Sequence, residues 1–159
     1  MRWMITTGAI IIALDQLTKV WIVHLLDLKT RLQIEVMPPY LTFRMAWNRG
    51  VNFGLGASDS DVMRWVLIAL ALAISAWVVW WVHKDAMGRL GQFFAGLLLG
   101  GAIGNVIDRL IYGAVADFLN MSCCGIDNPW SFNIADAAIF AGAIGLVLFT
   151  GEKSGSKTP

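Results

Sequence analysis

Residues 65–82 read WVLIALALAISAWVVWWV, eighteen consecutive positions without a charge. A helix facing water on one side needs a polar face, and this one has none. Its length suits the hydrocarbon core of a bilayer. Asp61 and Arg64 stand before it, and His83, Lys84 and Asp85 after it. Trp65, Trp80 and Trp81 lie near its ends, where indole rings favour the membrane–water interface. We expect a membrane-spanning helix over residues 62–82.

The rest of the chain has the same character. Of 159 residues 57% are hydrophobic and only 14% charged, against about 25% charged in soluble domains. So much apolar surface cannot be hidden in a water-soluble fold of this size. The low charge and eight tryptophans exclude a disordered chain. A net charge of +1 gives no field for a nucleic acid partner. Cys123 and Cys124 are too few for a disulfide framework or a zinc site.

Three further apolar segments are interrupted by charge: residues 3–26 by Asp15 and Lys19, 92–112 by Asp108 and Arg109, and 131–150 by Asp136. Asp15 and Lys19 split the first apolar run, and no A-x-A-like site follows, so it reads as a retained helix rather than a signal peptide. The expected fold is an all-α polytopic membrane protein of four transmembrane helices. Four crossings put both termini on one side with the 83–91 loop, which carries Lys84 and Arg89. The 113–130 loop has no Lys or Arg, so the termini are expected in the cytoplasm, although Lys29, Arg31, Arg44 and Arg49 blur the contrast. Segment 27–61 holds LQIEV (32–36) and YLTFRMAW (40–47) around Pro38 and Pro39, and reads as a small extracytoplasmic β-cradle. Residues 1–151 form one membrane-embedded domain in this reading, and 152–159 a polar cytoplasmic tail.

Charges within a membrane cost about 2.5–3.5 kcal/mol each at mid-bilayer on insertion scales, so they face a bundle interior or a wet cavity. Asp15 and Lys19 lie four apart on one helix face and can pair. Asn105, Asp108 and Arg109 share a face by the same spacing, and Arg109 can pair with Asp108 or reach the interface. Gly96, Gly100 and Gly104 form a small-xxx-small ladder that admits another helix closely.

Asp117 and Asp136 are nineteen positions apart, across the outer loop that joins the last two helices. Asp136 falls roughly 7–8 Å into the last of them at 1.5 Å per residue, so both carboxylates can meet near the outer face. Asn133, three residues earlier, can hydrogen-bond into the same place. Two carboxylates in a low-dielectric pocket share one proton, as acid–base hydrolysis requires. Solvated or helix-capping acids have the same spacing, and spacing leaves these readings open. A proton- or ion-coupled transporter is the alternative function, because buried charges also mark relays. A Ser–Lys dyad would need mid-helix Lys19 to meet Ser131 or Ser122 at the outer rim. There is no H-E-x-x-H or G-x-S-x-G.

Five motifs in order, over about residues 10–140, resemble the lipoprotein signal peptidase (signal peptidase II) family. Asp15 and Lys19 stand in LDQLTK; Asn48, Gly50, Phe53 and Gly54 in NRGVNFG; Gly101, Gly104, Asn105, Asp108 and Arg109 in GGAIGNVIDR; Asp117 in VADF; and Asn133 with Asp136 in FNIAD. The resemblance implies a membrane aspartyl endopeptidase that removes the signal peptide from prolipoproteins, cutting just before the diacylglyceryl-modified cysteine. It implies a catalytic dyad of Asp117 and Asp136. Asn48, Asn105, Arg109 and Asn133 would line the substrate site, with Gly50 and Gly54 beside Asn48 and with Asp15, Lys19 and Asp108 as support. It implies no metal and no cofactor, and inhibition by globomycin. We expect contact with membrane lipids, a monomer, and a place in the bacterial cytoplasmic (inner) membrane. Tyr40, Phe43 and Trp47 are expected to anchor the cradle at the interface.

Overall fold

The computed structural model describes residues 1–50, 60–125 and 127–150. Phe53, Gly54 and the 152–159 tail lie outside the described residues. Helix α1 (Arg2–Lys19) continues into a π-helical turn, Val20–Leu25. A short α2 (Leu28–Arg31) leads to strands β1 (Gln33–Met37) and β2 (Leu41–Asn48). Helices α3 (Ser60–Lys84) and α4 (Arg89–Tyr112) follow, then β3 (Val115–Met121) and α5 (Ile134–Thr150).

Arg2–Leu25, Asp61–Lys84 and Arg89–Tyr112 are long and apolar enough to cross a membrane; Ile134–Phe149 is a shorter apolar helix. The fold is therefore mostly helical, with three candidate spans and a small sheet. Helix α3 lies under a wide apolar exterior, with Trp65, Trp77 and Trp80 more than half exposed, as lipid-facing side chains are.

Helix α4 is the centre, packed between α1 and α5. A Cβ on Gly96 would meet the Met4 carbonyl oxygen at 2.7 Å, and one on Gly100 the Gly8 carbonyl oxygen at 2.7 Å. On the other flank a Cβ on Gly101 would collide with the Ala135 carbonyl oxygen. Without a hydrophobic drive between helices in lipid, such backbone approach is what holds them together.

The sheet has the order β1-β2-β3, antiparallel throughout. The β1–β2 hairpin follows the sequence expectation. Strand β3 does not: residues 113–130 read as a loop, yet Val115–Met121 pairs with β2, Ala46 opposite Asp117. Its side chains are buried on both faces, so the alternation that marks a strand is missing from its sequence. Beneath the sheet, Ile22, Val23, Leu28, Ala116 and Phe118 form an apolar cluster. Phe43 packs edge-on against Phe118, with ring centres 6.2 Å apart. It thus faces inward instead of anchoring the cradle, while Tyr40 and Trp47 remain exposed.

Helix α5 starts at Ile134 rather than 131. The apolar run Trp130-Ser131-Phe132 mimics helix in sequence, but Phe132 bridges to Leu119 of β3.

Candidate active site

Asn133 fixes the start of α5. Its Oδ1 accepts the Asp136 N–H at 2.9 Å, and Asp136 Oδ2 accepts the Asn133 N–H at 3.2 Å. This reciprocal pair is a capping box, which satisfies two of the amide donors left free at a helix start. Asp136 therefore sits in the first turn of α5, shallower than the expected helix start placed it.

The same asparagine reaches the second carboxylate. Its Nδ2 donates to Asp117 Oδ1 at 2.7 Å. Asn105 of α4 donates from Nδ2 to the remaining oxygen of Asp136, Oδ1, at 2.8 Å, while its own Oδ1 accepts from Asn133 Nδ2 at 3.3 Å. Asp117 Oδ2 accepts from Asn48 Nδ2 at 3.1 Å. The amide of Asn48 is oriented by the Gly50 N–H, which donates to its Oδ1 at 3.0 Å. Gly50 holds φ +96°, and a Cβ there would lie 2.7 Å from Leu67 Cδ1, so backbone and space both demand glycine.

Thus Asp117 and Asp136 come from different elements and meet around one asparagine. Asp117 is buried, Asp136 partly so, and Asn48 exposed, so the cluster opens on the Asn48 side. Burial raises the Asp117 carboxyl, the nearby Asp136 charge raises it further, and hydrogen bonds from Asn48 and Asn133 oppose; the carboxyl is pushed up to about 7. Such a pair can hold one proton and one negative charge near neutral pH.

A second polar layer lies behind this cluster. Lys19 Nζ is 2.7 Å from Asp15 Oδ2 and 2.8 Å from Asp108 Oδ2, all three side chains being buried. Asp108 therefore pairs with Lys19 across helices and not with Arg109. The i, i+4 rule identifies partners within one helix only, which is why this contact was not foreseen. Arg109 Nη1 instead donates to the Asn105 carbonyl at 3.3 Å.

The two acids of this layer also hold backbone. Asp15 Oδ1 accepts the N–H of Ala135 at 3.0 Å, and Asp108 Oδ2 accepts the N–H of Ala116 at 3.0 Å. Ala135 and Ala116 are the residues immediately before Asp136 and Asp117. Gly104 leaves the room for Asp15, since a Cβ there would lie 2.8 Å from its Oδ2. Gln16, which sequence reasoning passed over, donates from Nε2 to Asp15 at 3.1 Å and Asp108 at 3.0 Å. Its sequence signal is its place between Asp15 and Lys19 in LDQLTK. Gly54 lies outside the described residues, so of the expected site residues all but that one are placed, in or directly behind one cluster.

Comparison with known proteins converges on the same chain region. The family model described as signal peptidase (SPase) II matches residues 7–151. A lipoprotein signal peptidase of Methylorubrum extorquens is 42% identical over 140 residues, covering 86% of this chain and 78% of the relative. One of Methylobacterium radiotolerans is 42% identical over 147 residues, covering 91% and 82%. A bacterial membrane enzyme solved by the in meso method at 1.9 Å resolution superposes with a TM-score of 0.76 at 27% identity, covering 95% of this chain and 94% of that one. With the sheet, the five motifs and all but the first residues of α1 inside the matched span, the chain belongs to the signal peptidase II family.

Proposed function

We propose that this protein is a membrane aspartyl endopeptidase that removes signal peptides from prolipoproteins, cutting immediately before the diacylglyceryl-modified cysteine, with Asp117 and Asp136 as its acid–base pair. Family membership supports the activity. The observation that carries the residue assignment is the Asn133 side chain, which binds both carboxyl-bearing residues at once. One carboxylate takes a proton from water, whose oxygen attacks the scissile carbonyl carbon. The protonated partner hydrogen-bonds to the carbonyl oxygen as it gains charge. Collapse of the tetrahedral species breaks the C–N bond, and the cysteine amine leaves with a proton. Asn48, Asn105 and Arg109 line the approach in this reading, and Asp15, Lys19 and Asp108 support it from behind.

In the proposed topology, residues 1–151 are one domain with four crossings, α5 being the fourth. Its seventeen residues reach about 25 Å, close to the thickness of the hydrocarbon core. Both termini lie in the cytoplasm of a bacterium, and the sheet and dyad lie at the extracytoplasmic face of the inner membrane. There the bilayer presents the acyl chains of the substrate and water has access. The enzyme acts as a monomer among membrane lipids and is inhibited by globomycin-type peptides. A transporter is not favoured: among the described residues, buried charges are confined to Asp15, Lys19, Asp108 and Asp117, and the other buried polar side chains are uncharged. Among the described residues no buried charged relay extends beyond this group.

Asp117→Asn and Asp136→Asn should each lower cleavage of a diacylglyceryl-modified prolipoprotein by at least roughly 10²–10⁴-fold, with the purified protein still folded. Wild-type turnover by either variant would remove the dyad. For orientation, a membrane-impermeant maleimide should label the reduced Cys123–Cys124 turn in intact spheroplasts. Labelling only after membrane rupture would reverse the topology.

A further inference from the structure

The peptidase reading leaves one reactive feature unused. Cys123 and Cys124 are adjacent, free and exposed, in the turn that leaves β3. Neighbouring side chains along a strand point to opposite faces, so adjacent thiols ordinarily diverge. Here Cys124 takes a left-handed backbone at φ +59°, and Gly125 continues at φ +78°. Residues with a side chain seldom adopt that conformation. It turns the second thiol back beside the first, with the two Sγ atoms 2.9 Å apart.

The turn is held in place from both sides. Asn120 Nδ2 donates to the carbonyl oxygens of Asn128 at 2.7 Å and Trp130 at 2.9 Å. The Asn128 N–H donates to Ser122 Oγ at 3.1 Å. Asn120 belongs to β3, so the thiol pair is tied to the strand that bears Asp117.

We propose that Cys123 and Cys124 form a reversible disulfide with each other, making this turn a dithiol–disulfide redox site. The oxidant is a small disulfide such as oxidised glutathione. One thiolate attacks it, its S–S bond breaks, and one glutathione leaves as the thiol while a mixed disulfide forms. The neighbouring thiolate then attacks the cysteine sulfur of that bond, and the second glutathione leaves. The two cysteines have lost two electrons and two protons, and the oxidant has become two thiols. Adjacent Cα atoms are about 3.8 Å apart, short of the usual span of roughly 4.4–6.8 Å for disulfide-linked residues. The small ring is therefore strained and readily reduced. It closes almost no chain, so it adds little of the loop-entropy stabilisation of a structural disulfide. Its chemistry suits a switch that opens and closes with the redox state of the compartment.

The test uses the full chain in detergent, reduced, freed of reductant, exposed to oxidised glutathione and then blocked with N-ethylmaleimide. Intact-mass measurement should find a monomer lighter by two hydrogen atoms, with neither glutathione nor maleimide attached. Excess reduced glutathione should restore two alkylatable thiols. Cys123→Ser and Cys124→Ser should each stop at a single stable glutathione adduct. Two glutathiones on the wild-type chain, two thiols still alkylated after the oxidant, or a disulfide-linked dimer would each overturn the proposal. None of these readouts depends on peptidase activity.

Discussion

Asn133 joins two tasks in one side chain. It caps α5, and its amide nitrogen reaches Asp117 at 2.7 Å, so the geometry of the acid pair is set by the same bonds that start a helix. The capping and acid–base readings of Asp136 are therefore compatible: one oxygen caps, and the other faces Asn105. With the Asp117 carboxyl pushed up to about 7, the direction of the pH dependence follows. A raised acid keeps its proton in the folded chain where the unfolded chain has lost it. The associated stability is complete below the ordinary carboxylate range and is lost as pH rises through about 7. Activity that needs one shared proton holds across that range and falls only as the native pair releases its proton, near 7, and the profile belongs to the pair. We expect kcat/KM for prolipoprotein cleavage to decline as pH rises through about 7. A profile still rising well beyond that value would contradict the assignment.

At the scale of elements, the glycine seams of α4 decide how near its neighbours come. Gly104→Ala would place a methyl group 2.8 Å from Asp15 Oδ2, displacing the carboxylate that holds Ala135. We expect a loss of about 1–3 kcal/mol from overpacking, read as a lower melting temperature, together with reduced turnover. Gly88→Ala, whose Cβ would meet nothing within 4 Å, is the control: turnover should be unchanged, and the melting temperature should move only by the small cost of alanine at the N-cap of α4. Much of this level was legible in the sequence. Helix α3 is plain because lipid demands an unbroken apolar run, and the β1–β2 hairpin because it retains partial alternation. Strand β3 was not legible, because burial on both faces removes the period of two. The start of α5 was misplaced because hydrophobicity does not distinguish Phe132 in a bridge from Phe132 in a helix. The meeting of Asp117 and Asp136 was visible as a possibility from loop length. Their common asparagine, and the attachment of each preceding residue to a second acid, depend on tertiary packing that no local period encodes.

Across the whole molecule, Lys19 is the point on which α1 and α4 converge through two buried carboxylates. Lys19→Met would leave Asp15 and Asp108 without their counter-charge, and breaking a buried pair in this way costs about 3–5 kcal/mol. We expect a large fall in melting temperature and in yield of inserted protein. Adding Asp15→Asn and Asp108→Asn should recover much of the stability but not the turnover, because the carboxylate contacts to Ala135 and Ala116 are then weakened; full activity in the triple variant would show those contacts to be dispensable. The contact from Asp15 to Ala135 spans 120 positions of sequence, which has a consequence for biogenesis. During synthesis the first helix is made long before the segment it must hold, so a nascent chain lacking α5 has no assembled dyad. Under the proposed assignment proteolytic competence arrives only with α5, and a product truncated before that helix should be inactive.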